Sequence, residues 1–269
     1  MKNTRLARVA STLSLAVALT GLAACGSSSD DSAKGGLDLI KAGTLTVCSD
    51  VPYPPFEDFD KSTPSGFTGY DIDIVSAIAK ELKLKLVVKD SDFSALKSGL
   101  ALNSGQCDVA ASAMSITPER EKRLGFSDGY YDSEQSLLVP TGSPIKAIGD
   151  LDGKKVAVQK GTTGEEYTAK HAPGAKAISF PSDGQMYAAI KAGQVDAILQ
   201  DLPVNLDHQK DPKAPGKYTV VETYKTDEQY GFAMKKTNTA LIDAVDKALK
   251  DLHDNGDFQK IYDTYFATK

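Results

Sequence analysis

The chain has 269 residues with 31 basic and 36 acidic side chains, a formal charge of −5, and its first 24 residues carry Lys2, Arg5 and Arg8 but no acid. The apolar stretch from Val9 to Ala24 reads as an export signal and not as a membrane span. Its removal leaves 28 basic groups against 36 acidic ones, which disfavours nucleic acid as a partner. What remains, 41% hydrophobic and 25% charged over the whole chain, suits one large domain or two lobes of roughly 100 to 150 residues.

In chain order, Leu22-Ala23-Ala24-Cys25 closes the leader (residues 1–24) and resembles the lipobox of bacterial lipoproteins. That resemblance implies that Cys25 is acylated and becomes the new N-terminus. Gly26 to Gly36 is small and polar, the composition of a flexible tether, so residues 25–36 are expected to hang a soluble body on a lipid anchor. The body would face the outside of the cell membrane, or the periplasm in a Gram-negative cell, although anchoring of this kind looks like a Gram-positive habit. Functions that need cytosolic nucleotides are thereby disfavoured.

From Thr44 short apolar runs alternate with amphipathic ones. The pattern predicts strands over Leu45–Cys48, Leu84–Lys89 and Asp108–Ala113, and helices over Tyr70–Leu82 and Ser94–Leu102. Ile74, Val75, Ile78, Ala79 and Leu82 form one apolar stripe that would pack on a sheet. The grammar restarts after Val139-Pro140, with strands over Val156–Val158, Ala177–Phe180 and Val195–Leu199 and helices over Gly164–His171 and Gln185–Ala192. A strand over Tyr230–Lys235 and helices over Thr239–Leu252 and Phe258–Phe266 complete the chain. Alternation of this kind predicts an α/β fold. If the terminal helices return to the first lobe, the lobes comprise 37–132 plus 230–269 and 133–229. Two hinge crossings would then join them, near Tyr131–Glu134 and Thr226–Gln229.

Catalytic and metal signatures are mostly missing. His171, His208 and His253 are scattered, no paired Cys-x-x-Cys occurs, and Gly161-Thr162-Thr163-Gly164 lacks the Gly-Lys-Ser/Thr ending of a phosphate loop. No cofactor and no metal is expected. What stands out is Ala113-Met114-Ser115-Ile116-Thr117-Pro118-Glu119-Arg120, which should leave a strand's C-terminal edge and enter a helix with Thr117 as N-cap and Pro118 in the first turn. Such edges are where α/β sheets bind ligands, and an Arg in a first turn opposes the helix dipole unless an anion is near.

Asp50-Val51-Pro52-Tyr53-Pro54-Pro55-Phe56-Glu57, Gly69-Tyr70-Asp71-Ile72-Asp73, Ser115 to Arg120 and Phe126-Ser127-Asp128-Gly129-Tyr130-Tyr131 together resemble the family 3 solute-binding proteins of bacterial ABC importers, which bind polar amino acids. Val156 to Thr163, Val195 to Asp201 and Gln229 to Ala233 extend the similarity, so that it spans Gly43 to Phe266. The resemblance implies a two-lobe periplasmic-binding-protein-like fold of type II, each lobe a mostly parallel sheet flanked by helices. Residue by residue, it puts Arg120 on the ligand α-carboxylate, with the Thr163 amide and a further contact from its hydroxyl reaching in from the second lobe, at the start of a helix beginning near Gly164. Asp201 would take the α-ammonium group, helped by the Ser115 hydroxyl and the Ala113 carbonyl. Many relatives carry Ser or Gly at position 113, so only a backbone contact survives there. Tyr53 and Phe93 match the aromatic walls for the ligand side chain and Asp50 a polar group at its far end, while Gln159 and Gln200 are rim contacts.

The expected function is capture of an extracellular amino acid by hinge closure and its delivery, by a monomer, to the membrane permease of an importer. A basic ligand (arginine, lysine, ornithine or histidine) is favoured, because a neutral zwitterion would pair Arg120 and Asp201 and leave Asp50 alone. Glutamine is the runner-up, although Gln159 stands where glutamine-binding relatives carry Lys. The alternatives are an exported prephenate or arogenate dehydratase on the same fold, and an amino-acid sensor without transport. Finally, Cys48 and Cys107 both fall in expected strands of one lobe. Parallel neighbours in register would place them at opposite edges, beyond the ~7 Å reach of a disulfide, which predicts two thiols.

Overall fold

The computed structural model describes residues 36–267. The expected signal peptide, the acylated Cys25 and the tether up to residue 35 lie outside them. Among the described residues no helix is long and apolar enough to cross a membrane.

The chain opens with β1 (Thr44–Ser49), a small hairpin of β2 (Asp58–Phe59) and β3 (Phe67–Thr68), α1 (Tyr70–Glu81) and β4 (Lys85–Asp90). The single helix expected next is two, α2 (Phe93–Lys97) and α3 (Leu100–Asn103), because Gly99 between them takes φ +77, where the chain turns and cannot propagate a helix. There follow β5 (Val109–Ala110), α4 (Pro118–Glu121) and β6 (Leu124–Phe126). The second half contributes β7 (Tyr131–Pro140), β8 (Lys155–Gln159), α5 (Thr163–His171), β9 (Lys176–Phe180), α6 (Asp183–Lys191), β10 (Ala197–Asp201), α7 (Leu202–Gln209) and β11 (Tyr218–Tyr230). Last come β12 (Ala233–Lys235), α8 (Thr239–Asp254) and α9 (Asp257–Phe266).

Two lobes follow from two five-stranded sheets, ordered β4-β1-β5-β12-β6 and β11-β7-β10-β8-β9. Four strands of each sheet run the same way. One strand, β12 in the first and β7 in the second, is inserted antiparallel between neighbours. Central strands buried on both faces explain the continuous apolar runs in the sequence. In β1, Leu45 and Val47 pack under α1, α8 and α9, while Cys48 faces the other side with Phe93, Leu96 and Leu102. Leu241, Val245, Leu249 and Phe258 join the first of these cores, so the terminal helices return to the first sheet.

The hinge is more regular than the expected pair of crossings. β7 and β11 form one antiparallel ribbon, paired from Tyr218↔Pro140 to Tyr230↔Tyr131 with irregularities between Val220 and Glu222 and between Tyr224 and Glu228. Phe56 anchors its end, with ring centroids 5.1 Å from Tyr131 and 5.2 Å from Tyr230.

The cysteine expectation is overturned. Cys48 and Cys107 form a disulfide with their α-carbons 5.7 Å apart. The register argument placed Cys107 inside a strand, but β5 begins only at Val109 and pairs Val47↔Val109 and Cys48↔Ala110. Cys107 sits in the turn before it. That turn runs across the face of β1, where the Gln106 carbonyl accepts from Lys89 Nζ of β4 at 2.8 Å, and so it lies beside the Cys48 side chain.

Candidate functional site

Every site segment leaves the C-terminal edge of a parallel strand. β1 leads to Asp50 and Tyr53, β5 to Ser112–Ser115 and on to Arg120, β8 to Gln159 and β10 to Asp201. Between the lobes these residues enclose a cavity of ≈ 20 Å³, room for about one water, lined by Asp50, Tyr53, Phe93, Ser112, Ala113, Ser115, Arg120, Gln159, Thr162, Thr163 and Asp201. The lobes are therefore closed on one another.

Arg120 is 8% exposed and forms no ion pair among the described residues. Thr117 caps its helix as expected, accepting the Arg120 amide at 3.2 Å, which fixes the direction of the side chain. Its Nη1 donates to the Ser115 carbonyl at 2.7 Å, its Nη2 reaches the Gly161 carbonyl of the other lobe at 3.3 Å, and its Cζ lies 5.4 Å from the centre of the Phe93 ring. Two carbonyls and an aromatic face solvate the guanidinium without neutralising it. Burial lowers its pKa, yet an Arg in a protein stays charged, so the site holds an uncompensated cation.

The acids are arranged around it. Asp201 accepts from Tyr53 Oη at 2.7 Å, Tyr230 Oη at 2.5 Å and Gln135 Nε2 at 2.5 Å. It occupies the N-cap position of α7 yet makes no capping bond, because its side chain is turned into the cleft. Burial, then the nearby Glu228 charge, pushes its pKa up to about 6. Asp50 accepts from Gln159 Nε2 across the cleft at 2.6 Å, and burial pushes it up to about 7 against the lowering effect of that bond. Thr162, not Thr163, caps α5 by accepting the Glu165 amide at 3.2 Å, so the helix starts one residue earlier than expected and Thr163 occupies its first turn. Ala113 takes φ +43, a left-handed conformation unusual for a residue with a Cβ.

Nine of the ten expected residues thus converge. Gln200 does not. It precedes Asp201 on β10, so strand alternation turns it away, and its Nε2 donates into the lobe interior to Asp183 at 2.8 Å and Asn205 at 3.1 Å. The sequence reading missed Ser112 and Thr162 on the cavity wall and two residues of the hinge ribbon, Gln135 and Glu228. Glu228 accepts from Ser115 Oγ of one lobe at 2.7 Å and from Thr163 Oγ1 of the other at 2.6 Å. The Ser115 hydroxyl, expected toward the ammonium group, is directed to this carboxylate instead. Thr162 was legible as a threonine beside Thr163 at a helix start, whereas only the sheet topology brings Glu228 and Gln135 to the cleft.

A cleft between two such lobes, with one unpaired guanidinium and the buried carboxyls of Asp50 and Asp201 on its wall, can bind a small zwitterion. The model of the bacterial extracellular solute-binding proteins, family 3, matches residues 45–268. The chain belongs to that family. It is 33% identical over 254 residues to the ABC transporter glutamine-binding protein GlnH of Bacillus subtilis, covering 90% of each chain. An ancestral arginine-binding protein bound to arginine has 37% identity and a TM-score of 0.78, covering 84% of this chain and 99% of that one. The ancestral amino acid-binding protein AncCDT-1, a precursor of cyclohexadienyl dehydratase, has 35% identity and a TM-score of 0.75, covering 86% and 98%. Other curated relatives bear the names of a probable histidine-binding protein of Neisseria gonorrhoeae and an ABC transporter arginine-binding protein of Escherichia coli, each 30% identical.

Proposed function

We propose that this family member captures a basic amino acid outside the cell, with glutamine as its second choice, and delivers it by hinge closure to the permease of an ABC importer. The observation that carries this reading is the charge inventory of the cavity wall, one guanidinium against the carboxyls of Asp50 and Asp201, with Glu228 of the hinge ribbon a third carboxyl already held by the Ser115 and Thr163 hydroxyls, and none of them in an ion pair among the described residues. The ligand α-carboxylate would replace the carbonyls on Arg120 as a bidentate partner and reach the first amides of α5. Its α-ammonium group would pair with Asp201. Asp50 would then be a lone buried carboxyl unless the ligand side chain brings a cation or a donor. A guanidinium or ammonium group beside Tyr53 and Phe93 would also gain cation–π contact.

The lobe assignment of 37–132 plus 230–269 and 133–229 accompanies this reading. Arg120 and Asp50 stand on one side and Asp201 and Thr163 on the other, so a zwitterion spanning the cleft binds the closed form better than the open one. Anchoring through acylated Cys25 belongs to the proposal too, supported by the lipobox-like run and the polar tether. Cys25→Ser should release the protein from membranes, and a variant that still pellets with them in high salt would contradict the anchor.

Thermal-shift measurements across the standard amino acids plus ornithine, with native mass spectrometry of the freshly purified protein, test the ligand. Arginine, lysine, ornithine or histidine should give the largest shift. Glutamate or aspartate in first place would sink the argument from Asp50, and turnover of prephenate or arogenate would overturn the receptor reading.

A further inference from the structure

Beneath the cleft floor two more carboxyl groups are buried, and neither has a cation beside it. Glu57 and Asp71 are each 0% exposed and form no ion pair among the described residues. Backbone geometry brings them together. Gly69 takes φ +127 and lies so close to the preceding segment that a Cβ there would meet the Phe56 carbonyl oxygen at 2.2 Å. The first turn of α1 therefore docks on residues 55–57, with the Tyr70 and Asp71 amides donating to the Pro55 and Phe56 carbonyls at 2.9 and 3.0 Å.

From this position the two acids hold consecutive residues of the ligand cleft. Glu57 Oε1 accepts from Ser112 Oγ at 2.7 Å, and that hydroxyl accepts the Asp50 amide at 3.0 Å. Asp71 Oδ2 accepts from the Ala113 amide at 2.9 Å and from Tyr130 Oη at 2.7 Å, which pins Ala113 in its left-handed conformation. Each acid has a second oxygen, Glu57 Oε2 and Asp71 Oδ1, buried with no donor. Two neighbouring buried acids cannot both ionise, and an orphaned buried acceptor is costly. One proton held between the two orphaned oxygens would remove both deficits.

We propose that Glu57 and Asp71 share one proton at neutral pH, and that this hydrogen-bonded acid pair is the positioning device that sets the Ser112–Ala113 corner of the amino-acid site. The functional half of the proposal rests on the reading that this corner faces the ligand ammonium group. Burial, and after it the adjacent Asp71 charge, pushes the Glu57 carboxyl well above the usual range, and burial moves Asp71 in the same direction. The other groups acting on the pair are acids or phenols: Asp50 and Asp201 from the cleft, Tyr130 before β7 and Tyr70 of α1. None of them is a cation that could stand in for the proton.

The test compares wild type with Glu57→Gln and Glu57→Ala. In Glu57→Gln the amide carbonyl still accepts from Ser112 and the amide nitrogen donates to Asp71, so no shared proton is needed. Difference infrared spectroscopy at pH 8, above the values of about 7 and about 6 to which burial pushes Asp50 and Asp201, should show a protonated-carboxyl band in wild type that Glu57→Gln lacks. The thermal midpoint of wild type should fall relative to that variant as pH rises from 5 to 9. The reason is that stability contributed by an acid of raised pKa is present at low pH and lost as pH climbs through its folded value. Arginine affinity should stay within about threefold of wild type in Glu57→Gln and drop at least about tenfold in Glu57→Ala. Identical infrared spectra with parallel pH–stability curves would overturn the shared proton. Loss of binding in a folded Glu57→Gln would overturn the positioning role. If wild type itself binds no amino acid, the receptor reading fails, while the infrared and stability results judge the proton independently.

Discussion

The first-lobe wall of the cleft supplies Asp50, Tyr53, Phe93, Ala113, Ser115 and Arg120, whereas the second-lobe wall supplies Gln159, the start of α5 and Asp201. The first wall is the more heavily braced. Its loops rest on the Cys48–Cys107 disulfide, on the aromatic cluster around Phe56 and on the Glu57–Asp71 floor. The second wall presents a helix N-terminus and one carboxyl that the hinge ribbon holds through Gln135 and Tyr230. Under the proposed function the first lobe recognises the ligand, and the second binds what the first already holds and thereby closes.

Substitutions that separate recognition from closure test this contrast. Arg120→Ala should have the largest effect, because it leaves a carboxylate desolvated without its charge-assisted partner. That costs more than ~3 kcal/mol, or over about 100-fold in affinity by calorimetry, while circular dichroism shows an intact fold. Retention within threefold would remove Arg120 from the site. Replacing Cys48 and Cys107 together by Ala should lower unfolding free energy by about 2–4 kcal/mol, since the bridge closes a loop with a sequence separation of 59. A denaturant midpoint unchanged in oxidised protein would argue against the bridge. Asp201→Asn should weaken every amino acid by about ten- to a hundredfold, and it should reduce the closed fraction seen by small-angle scattering with ligand present. Tyr53→Phe removes one hydroxyl from Asp201 and should cost about 1 kcal/mol, roughly fivefold. A larger loss would place the hydroxyl on the ligand itself.

Much of this architecture was legible because β1, β8 and β10 are short buried runs and α1 carries one apolar stripe, and because Arg120 and Thr117 sit in a segment whose cap and turn chemistry is local. The failures are tertiary. β7 and β11 escaped detection as strands near the hinge because Tyr131–Glu134 and Thr226–Gln229 are polar there, and their pairing with each other holds them extended. Gln200 was misplaced because adjacency to Asp201 in sequence means opposite faces in a strand. The disulfide was missed because strand ends are the weakest part of a pattern-based reading: Cys107 counts as part of a strand on its sequence, whereas β5 starts two residues later, at Val109, and leaves Cys107 in the turn beside Cys48. Glu57 and Asp71 were visible as parts of motifs, but their shared burial depends on the close approach that Gly69 allows.

The central claim is that Asp50 pairs with the ligand side chain, and the pH dependence of binding measures it most directly. Burial pushes Asp50 up to about 7 and Asp201 up to about 6. A cationic side chain needs Asp50 ionised, so the affinity for arginine should rise from pH 6 to pH 8. Proton release should make the calorimetric enthalpy near pH 7 depend on the buffer. Glutamine, which asks Asp50 only to accept a hydrogen bond, should vary less over the same range. Asp50→Asn should leave only the smaller rise that Asp201 gives every amino acid, and bring the two affinities together. Arginine affinity that is flat between pH 6 and pH 8, or an Asp50→Asn variant that still prefers arginine by the wild-type margin, would contradict the account.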